Sequence, residues 1–358
     1  MKISDIDKNL AVESGLNLSD AVWFDSKEAP FRIHGIHRAE PGKLFLRMPH
    51  ETAKATSAGV YLLNQHTAGG RIRFRTNAGY IAIRAEMPDG GIMPHMTIAG
   101  TGGFDLYKND GREYCYENTF MPGGSIGSYG SSRAVDGKWH TYTINMPLYA
   151  AVKEVYIGLP RDAEIEPAED YTYTKPILYY GSSITQGGCA SRPGNAYQAM
   201  ISRRFDSDYI NLGFSGNAKA EDVMIEYLAS VDSSVFVCDY DHNAPNADHL
   251  EATHEKLVRA YREAHPETPI IVVSRPDYTP EKGAYDAGRR EDERRRMIVR
   301  ATWEKLAAEG DKNIHYIDGA HLFDGAFRDS CTVDGCHPND LGFFRMAQVI
   351  GDEIEKHL

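Results

Sequence analysis

The 358-residue chain has no run of about 18 consecutive apolar residues, the length a membrane-spanning helix needs. It has no basic excess either: 39 Lys and Arg stand against 51 Asp and Glu, a formal net charge of −12. Nucleic acid and anionic membrane both call for a basic face, so neither is expected as a partner. The same charge disfavours a strongly acidic substrate. Cysteine is scarce. The five present (Cys115, Cys189, Cys238, Cys331, Cys336) are odd in number and scattered, which argues against a disulfide framework and suits a reducing compartment. No Cys/His spacing has the form of a zinc site, so the expectation is no metal and no cofactor. The opening residues Met1–Lys8 lack an apolar export segment, which predicts a cytoplasmic protein.

What is present is an ordinary globular composition, 42% hydrophobic and 25% charged. The length suggests about two domains, and the texture changes once. Residues 1–170 carry short runs that alternate apolar and polar with period two: Phe31–His34, Lys43–Arg47, Arg71–Arg75, Tyr80–Arg84 and Trp139–Ile144. Turn signals separate them, among them Pro88-Asp89-Gly90-Gly91, Asn109-Asp110-Gly111 and Asp136-Gly137. Such spacing, without a long helical pattern, predicts an antiparallel β-sandwich or jelly roll.

The acidic, proline-bearing segment Glu164–Asp170 reads as a linker. Residues 171–358 then alternate apolar runs (Ile177–Tyr180, Tyr209–Leu212, Val235–Cys238, Ile270–Val273, Ile314–Ile317) with helical patterns at 196–205, 219–231, 247–264, 287–308 and 340–357. That alternation predicts an α/β domain, a parallel sheet covered on both faces. The Arg- and Glu-rich helix at 287–308 reads as a solvated face, with a basic binding patch as the minor alternative.

Chemistry concentrates where the predicted parallel strands end. Ile177–Tyr180 breaks at Gly181 and hands on Ser182-Ser183-Ile184-Thr185-Gln186-Gly187. A buried strand that stops at glycine exposes a hydroxyl at the sheet's carboxyl edge, where ligands of open α/β sheets bind. Near the other end, Asp334-Gly335-Cys336-His337-Pro338 offers an acid and a base three residues apart. A serine hydroxyl becomes a good nucleophile when an imidazole takes its proton, and that imidazole works best when a carboxylate holds its other nitrogen. The tetrahedral intermediate then needs donors for its oxyanion. The Ser183 amide, the Gly216 amide in Asn211-Leu212-Gly213-Phe214-Ser215-Gly216-Asn217 and the Asn243 side chain in Asp239-Tyr240-Asp241-His242-Asn243-Ala244 are suitable. Cys336, inside the acid–base loop, reads as a space-filler.

The order of these blocks resembles the SGNH (GDSL-type) hydrolase superfamily over residues 176–358. By that resemblance the Ser of Gly-Asp-Ser-Leu falls on Ser183, the oxyanion glycine on Gly216, and the Asp-x-x-His pair on Asp334 and His337. It implies a flavodoxin-like three-layer α/β/α fold with strand order 2-1-3-4-5. Two positions depart from the pattern. Ser182 stands where the family has Asp, and Asp239–Asn243 replaces the family's Gly-x-Asn-Asp block. Strand length matches Asp241 to the family Asn, whereas residue type matches Asn243. A carboxylate would repel an oxyanion, which favours Asn243. Gly103-Phe104-Asp105-Leu106-Tyr107 in turn resembles the Gly-x-Asp-Leu-Tyr β-domain that precedes some GDSL-like acylhydrolases. The resemblance implies a serine esterase cleaving small acyl esters, acetyl above all, from carbohydrates or oligosaccharides. An acyltransferase using the same site is the alternative, and a non-catalytic carbohydrate-binding protein is the reading outside that class.

Several other residues attract notice. Gly123-Gly124-Ser125-Ile126-Gly127 spells the nucleophile-elbow pattern Gly-x-Ser-x-Gly, but its flanks are loops on both sides, where that motif requires a strand before and a helix after. His242 and His249 beside Asp241 and Asp248 are irregularly spaced and read as solvated loop groups. Tyr180, Tyr240 and Tyr278 could line a pocket or pack in the core, and Arg275 stands at a strand end suited to substrate contact.

Overall fold

The computed structural model describes residues 18–111, 113–276 and 287–358. Met1–Lys8 and Tyr278 lie outside the described residues. The strands are β1 (Ala21–Asp25), β2 (Arg32–His34), β3 (Arg71–Thr76), β4 (Tyr80–Glu86), β5 (Phe104–Asp110), β6 (Glu113–Phe120), β7 (Tyr129–Ala134), β8 (His140–Asn145), β9 (Glu154–Pro160), β10 (Ile165–Glu166), β11 (Tyr173–Gly181), β12 (Ser207–Gly213), β13 (Val235–Asp239), β14 (Ile270–Val273) and β15 (Ile314–Ile317). The helices are α1 (His50–Thr56), α2 (Ala58–Leu63), α3 (Ile98–Gly102), α4 (Ser183–Gln186), α5 (Tyr197–Phe205), α6 (Asp222–Ala229), α7 (Ala247–Ala264), α8 (Ala287–Ala308) and α9 (Asp340–Ile354). Among the described residues no helix is long and apolar enough to cross a membrane.

The described residues form two compact units that are not continuous in sequence. One gathers residues up to Arg47 with Gln65–Asp170 and Arg192–Gly194; the other gathers Met48–Asn64, Tyr171–Ser191 and residues from Asn195 on.

The first unit is the antiparallel sandwich. One sheet has the order β1-β9-β4-β7 and the other β10-β3-β8-β5-β6, with β2 paired to β3. Alternation supplies its core: Ile81 and Ile83 of β4, Ile72 and Phe74 of β3, Leu106 of β5, Ile144 of β8 and Ile157 of β9 belong to one buried cluster. The Gly-x-Asp-Leu-Tyr stretch has a physical task in this unit. Leu106 fills the core, while the fully buried Asp105 accepts hydrogen bonds from Asn145 Nδ2 (2.8 Å), Arg192 Nη1 (2.8 Å) and the Gly194 amide (2.7 Å). A buried carboxylate needs such partners.

One alternating run behaves differently. Lys43–Arg47 forms no strand, only an isolated bridge between Leu46 and Arg38. Its neighbours Phe45 and Leu46 are both buried, so the two-residue period fails where it would matter.

The second unit carries a five-stranded parallel sheet in the order β12-β11-β13-β14-β15, which is 2-1-3-4-5 along the chain. Every residue of β13 is buried, as expected of a strand covered on both faces. On one face Leu178, Tyr180, Leu212, Phe236, Cys238, Ile270 and Val272 share a cluster with residues of α6, α7 and α8. On the other, Tyr179 of β11 packs edge-on against Tyr197 of α5, which stacks on Phe343 of α9. Two short helices early in the chain, α1 and α2, join the first face: Met48, Ala53 and Val60 belong to its cluster. Residues 48–64 therefore leave the β half in which their position in sequence puts them, drawn by burial of their apolar side chains.

Candidate active site

The site begins with β11, whose buried end reaches Gly181. A Cβ there would lie 2.0 Å from Thr185 Oγ1 and 2.2 Å from the Asp239 carbonyl oxygen, so only glycine lets the chain pass β13 this closely. Ser182 then caps α4, its Oγ accepting the Ile184 amide at 3.1 Å. Ser183 is the first helical residue, and Gly187 closes the turn in the left-handed conformation at φ 103°. Ser183 itself is 9% exposed.

The short helix is held from below by buried amides. Gln198 Nε2 and Asn211 Nδ2 each donate to the Thr185 carbonyl at 2.7 Å. Gln186 Oε1 accepts the Ser215 amide at 3.0 Å, joining α4 to the loop after β12. Thr185 Oγ1 donates to the buried Asp239 carboxylate group at 3.3 Å. Burial, followed by the nearby Asp241, pushes that carboxyl well above its ordinary range.

His337 comes from the loop before α9. Its Nε2 lies 2.9 Å from Ser183 Oγ, and its Nδ1 lies 2.8 Å from Asp334 Oδ2. The second Asp334 oxygen accepts the amides of Cys336 (3.0 Å) and His337 (2.8 Å), so the acid and the base are oriented by one tight turn. Burial alone would raise the Asp334 carboxyl. Hydrogen bonds from the His337 amide and ring and from the Cys336 amide outweigh it and hold the group at about 2. An ionised Asp334 takes a proton bond from Nδ1–H, which leaves the Nε2 lone pair to accept from the Ser183 hydroxyl. The three side chains thus form one hydrogen-bonded chain, able to deprotonate the hydroxyl as it attacks a carbonyl.

The other blocks arrive at the same edge of the sheet. Gly216, at φ +67°, turns the loop after β12, and its amide donates to no group among the described residues. Asn243 ends a single helical turn, Asp241–Asn243, after β13. Its Oδ1 accepts the Ala218 amide at 3.3 Å, which fixes the carboxamide's orientation and leaves Nδ2 as the donor end. Asp241 turns elsewhere: it is 1% exposed, and its Oδ2 accepts the Arg275 amide at 2.9 Å. Burial raises Asp241 to about 6 despite that bond and the positive charges of Arg275 and Arg295.

The remaining sequence candidates do not converge. Tyr180 and Tyr240 are core residues, 5.6 Å apart between ring centres, with hydroxyls bonded to the Ala220 amide and to Thr253. Arg275 pairs its guanidinium with Asp292. His249 Nε2 bonds the Lys219 carbonyl at 2.8 Å and Asp248 pairs with Arg294, so these groups part from His242 and Asp241. Cys336 Sγ stands 3.9 Å from His242 Nδ1, and burial pushes its thiol up.

Sequence reasoning passed over Asp340, which reads as an ordinary acid in the first turn of α9. Its Oδ1 accepts the Ser191 amide at 2.9 Å, and its Oδ2 accepts Asn195 Nδ2 at 2.9 Å and the Ser191 hydroxyl. One carboxylate thereby ties the loop that follows the Ser183 helix to the start of the helix that follows His337. No local pattern marks it, because its partners lie far away in sequence.

Comparison with known proteins gives the family. Residues 174–355 match the model of the GDSL-like lipase/acylhydrolase family, and residues 21–165 match the N-terminus of SGNH-hydrolase-type esterases. No curated protein matches the chain. Among solved structures, a candidate GDSL-like lipase from Bacteroides ovatus ATCC 8483 shares 31% identity over 94% of this chain and 97% of its own, with a TM-score of 0.84. The salicylyl-acyltransferase SsfX3 of a tetracycline biosynthetic pathway matches at 19% identity, 94% and 97% coverage and a TM-score of 0.76. The acetyl xylan esterase Est2A from the rumen bacterium Butyrivibrio proteoclasticus matches at 12% identity, 94% and 98% coverage and a TM-score of 0.58. With half its length matched by the family model and a relative of this identity along nearly all of it, the chain belongs to the GDSL-like lipase/acylhydrolase family and is a carboxylic ester hydrolase of SGNH type.

Proposed function

We propose that the protein removes small acyl groups, acetyl above all, from carbohydrate esters through an acyl-serine intermediate formed on Ser183. The observation that carries this reading is the chain Ser183 Oγ–His337 Nε2 (2.9 Å) and His337 Nδ1–Asp334 Oδ2 (2.8 Å). In the first half-reaction Ser183 Oγ attacks the ester carbonyl while His337 Nε2 takes the hydroxyl proton. Asp334 keeps the imidazole oriented and stabilises the imidazolium. The amides of Ser183 and Gly216 and the Asn243 Nδ2 face the oxyanion, and one such donor lowers the barrier by about 3 kcal/mol. Collapse of the intermediate releases the alcohol, which takes the proton back from His337. Water, deprotonated by the same ring, then frees the acid and restores Ser183.

Asn243 rather than Asp241 suits the oxyanion, because the Asn243 amide has its donor end available and the Asp241 carboxylate is engaged with Arg275. Asp340 acts at one remove as the brace between the nucleophile and base loops. The acyl length and the sugar rest on likeness to the acetyl xylan esterase. A panel of acetyl, butyryl and longer esters, together with acetylated oligosaccharides, tests them on wild type and Ser183→Ala. Turnover of long-chain esters with acetylated oligosaccharides and aryl acetates both inert would sink the proposal.

A second reading has support of its own in the likeness to a salicylyl-acyltransferase along 94% of the chain. In that case the acyl-serine passes its acyl group to an alcohol instead of water. Product analysis with an added sugar acceptor separates the two outcomes: free acid marks the hydrolase and a new ester the transferase.

A further inference from the structure

Within the α/β unit, on the face of the sheet that carries α9, the last strand meets the last helical turns. His315 Nδ1 of β15 lies 3.3 Å from Glu353 Oε1, and His357 Nε2 lies 3.4 Å from the same oxygen. The two imidazole ring centres are 4.2 Å apart, and the three donor atoms all fall within 4.8 Å of one another. The side chains are only 26%, 18% and 14% exposed, in the order His315, Glu353, His357.

The separations have a specific meaning. Two ligands of one tetrahedral ion, each about 2.0–2.1 Å from it, stand about 3.3–3.4 Å apart. Both nitrogen–oxygen separations match that edge. His315 Nδ1 approaches Glu353 Oε1 at 3.3 Å, and His357 Nε2 meets the same oxygen in a long hydrogen bond of 3.4 Å. An ion seated between the three atoms would replace that contact with a bond to each. Lys356 Nζ holds Oε2 at 2.6 Å, so Oε1 is the oxygen turned toward both imidazoles.

We propose that His315, Glu353 and His357 form a divalent-cation site of the zinc class, with water completing a tetrahedron. Imidazole with carboxylate is a donor set suited to that class. A search for Cys/His spacing cannot reveal it: Glu353 and His357 lie one helical turn apart, but His315 reaches them only through the packing of β15 against α9. The site is structural and separate from the ester chemistry. Strand register puts His315 level with Ile271, Val237 and Tyr179, two residues short of Gly181, where β11 ends. Three strand spacings of about 4.8 Å separate β15 from β11, about 14 Å in all. A bound ion would clip the end of α9 to the sheet's outer strand.

The test uses the full chain, stripped with chelator and titrated with zinc chloride, read by calorimetry and by thermal unfolding. Wild type should take up one zinc per chain, with a rise in unfolding midpoint. His315→Ala and His357→Gln should each bind at least about 100-fold more weakly, because losing an outer-shell partner alone costs 10–100-fold. The midpoint shift should vanish in both variants, while metal-free turnover of an acetyl ester stays at the wild-type rate. No uptake by wild type, or an affinity and midpoint shift that survive both substitutions, would overturn the proposal. Should His315→Ala perturb β15, as circular dichroism would reveal, His357→Gln decides, since it lies outside the sheet.

Discussion

Two loops of this chain place a serine directly before an isoleucine, and the contrast between them shows what sets a hydroxyl beside an imidazole. In Gly123–Gly127, Ile126 is 2% exposed and belongs to the β-sandwich core, and its carbonyl accepts the Gly90 amide at 3.1 Å. Ser125 is exposed and has no helix after it; the loop simply carries the chain from β6 to β7. In Gly181–Ile184, the isoleucine is again fully buried, at 0% exposure, but the chain continues into α4 and Ser183 opens its first turn. Both isoleucines are anchors. Only in the second loop does the anchor hold a hydroxyl at the carboxyl edge of a parallel sheet, against an imidazole supplied from elsewhere. The elbow spelling belongs to the first loop, and the strand-to-helix turn with its hydroxyl–imidazole contact belongs to the second.

Substitutions sharpen this contrast in order of size. Ser183→Ala should lower kcat about 10⁶-fold with unchanged circular dichroism, since removal of the nucleophile of such a relay costs that much. A smaller loss would mean that another hydroxyl performs the attack. Asp334→Asn should lower kcat about 10⁴-fold by freeing the imidazole to adopt the wrong tautomer.

That second variant has a further consequence for stability against pH. The Asp334 carboxyl is held at about 2, below its ordinary 3.8. A depressed carboxylate stabilises the folded chain above 3.8, and the contribution is lost as pH falls from there toward 2. Urea midpoints measured from about pH 5 down to about pH 2 should therefore fall less steeply in Asp334→Asn than in wild type.

Asn243→Ala should reduce kcat about 10²–10³-fold with KM nearly unchanged, as for loss of one oxyanion donor. A gain in kcat for an Asp241→Asn variant, with Asn243→Ala harmless, would shift the donor role to the other position. At the small end, Ser125→Ala should leave kcat and KM where they are. Any loss of turnover from that change would break the comparison and move attention to the β-sandwich loop.

The parts of the fold that could be read without coordinates share a physical feature. Inner strands of the parallel sheet are covered on both faces, so Val235–Cys238 and Ile270–Val273 appear as unbroken apolar runs, and the structure has strands there. Helices with one buried stripe were equally legible: α7 and α8 fill 247–264 and 287–308. The β half was harder. Lys43–Arg47 alternates without pairing, and Glu154–Pro160 pairs on both sides without announcing itself. The helices α1 and α2, early in the chain, join the hydrophobic cluster of the α/β unit, and no local pattern carries that information.

For the site, residue chemistry and order along the chain were enough to name Ser183, Gly216, Asn243, Asp334 and His337 as candidates, because a nucleophile, a base with its acid, and oxyanion donors are each a recognisable residue type in a recognisable turn. Proximity was decided only by tertiary structure. A period or a short motif reports what a segment does with its immediate neighbours, whereas a 2.9 Å approach between Ser183 and His337 depends on how the whole sheet and its last helix pack. The same holds for the Asp340 brace and for the gathering of His315 with Glu353 and His357, whose partners are brought together by burial and strand order and not by spacing.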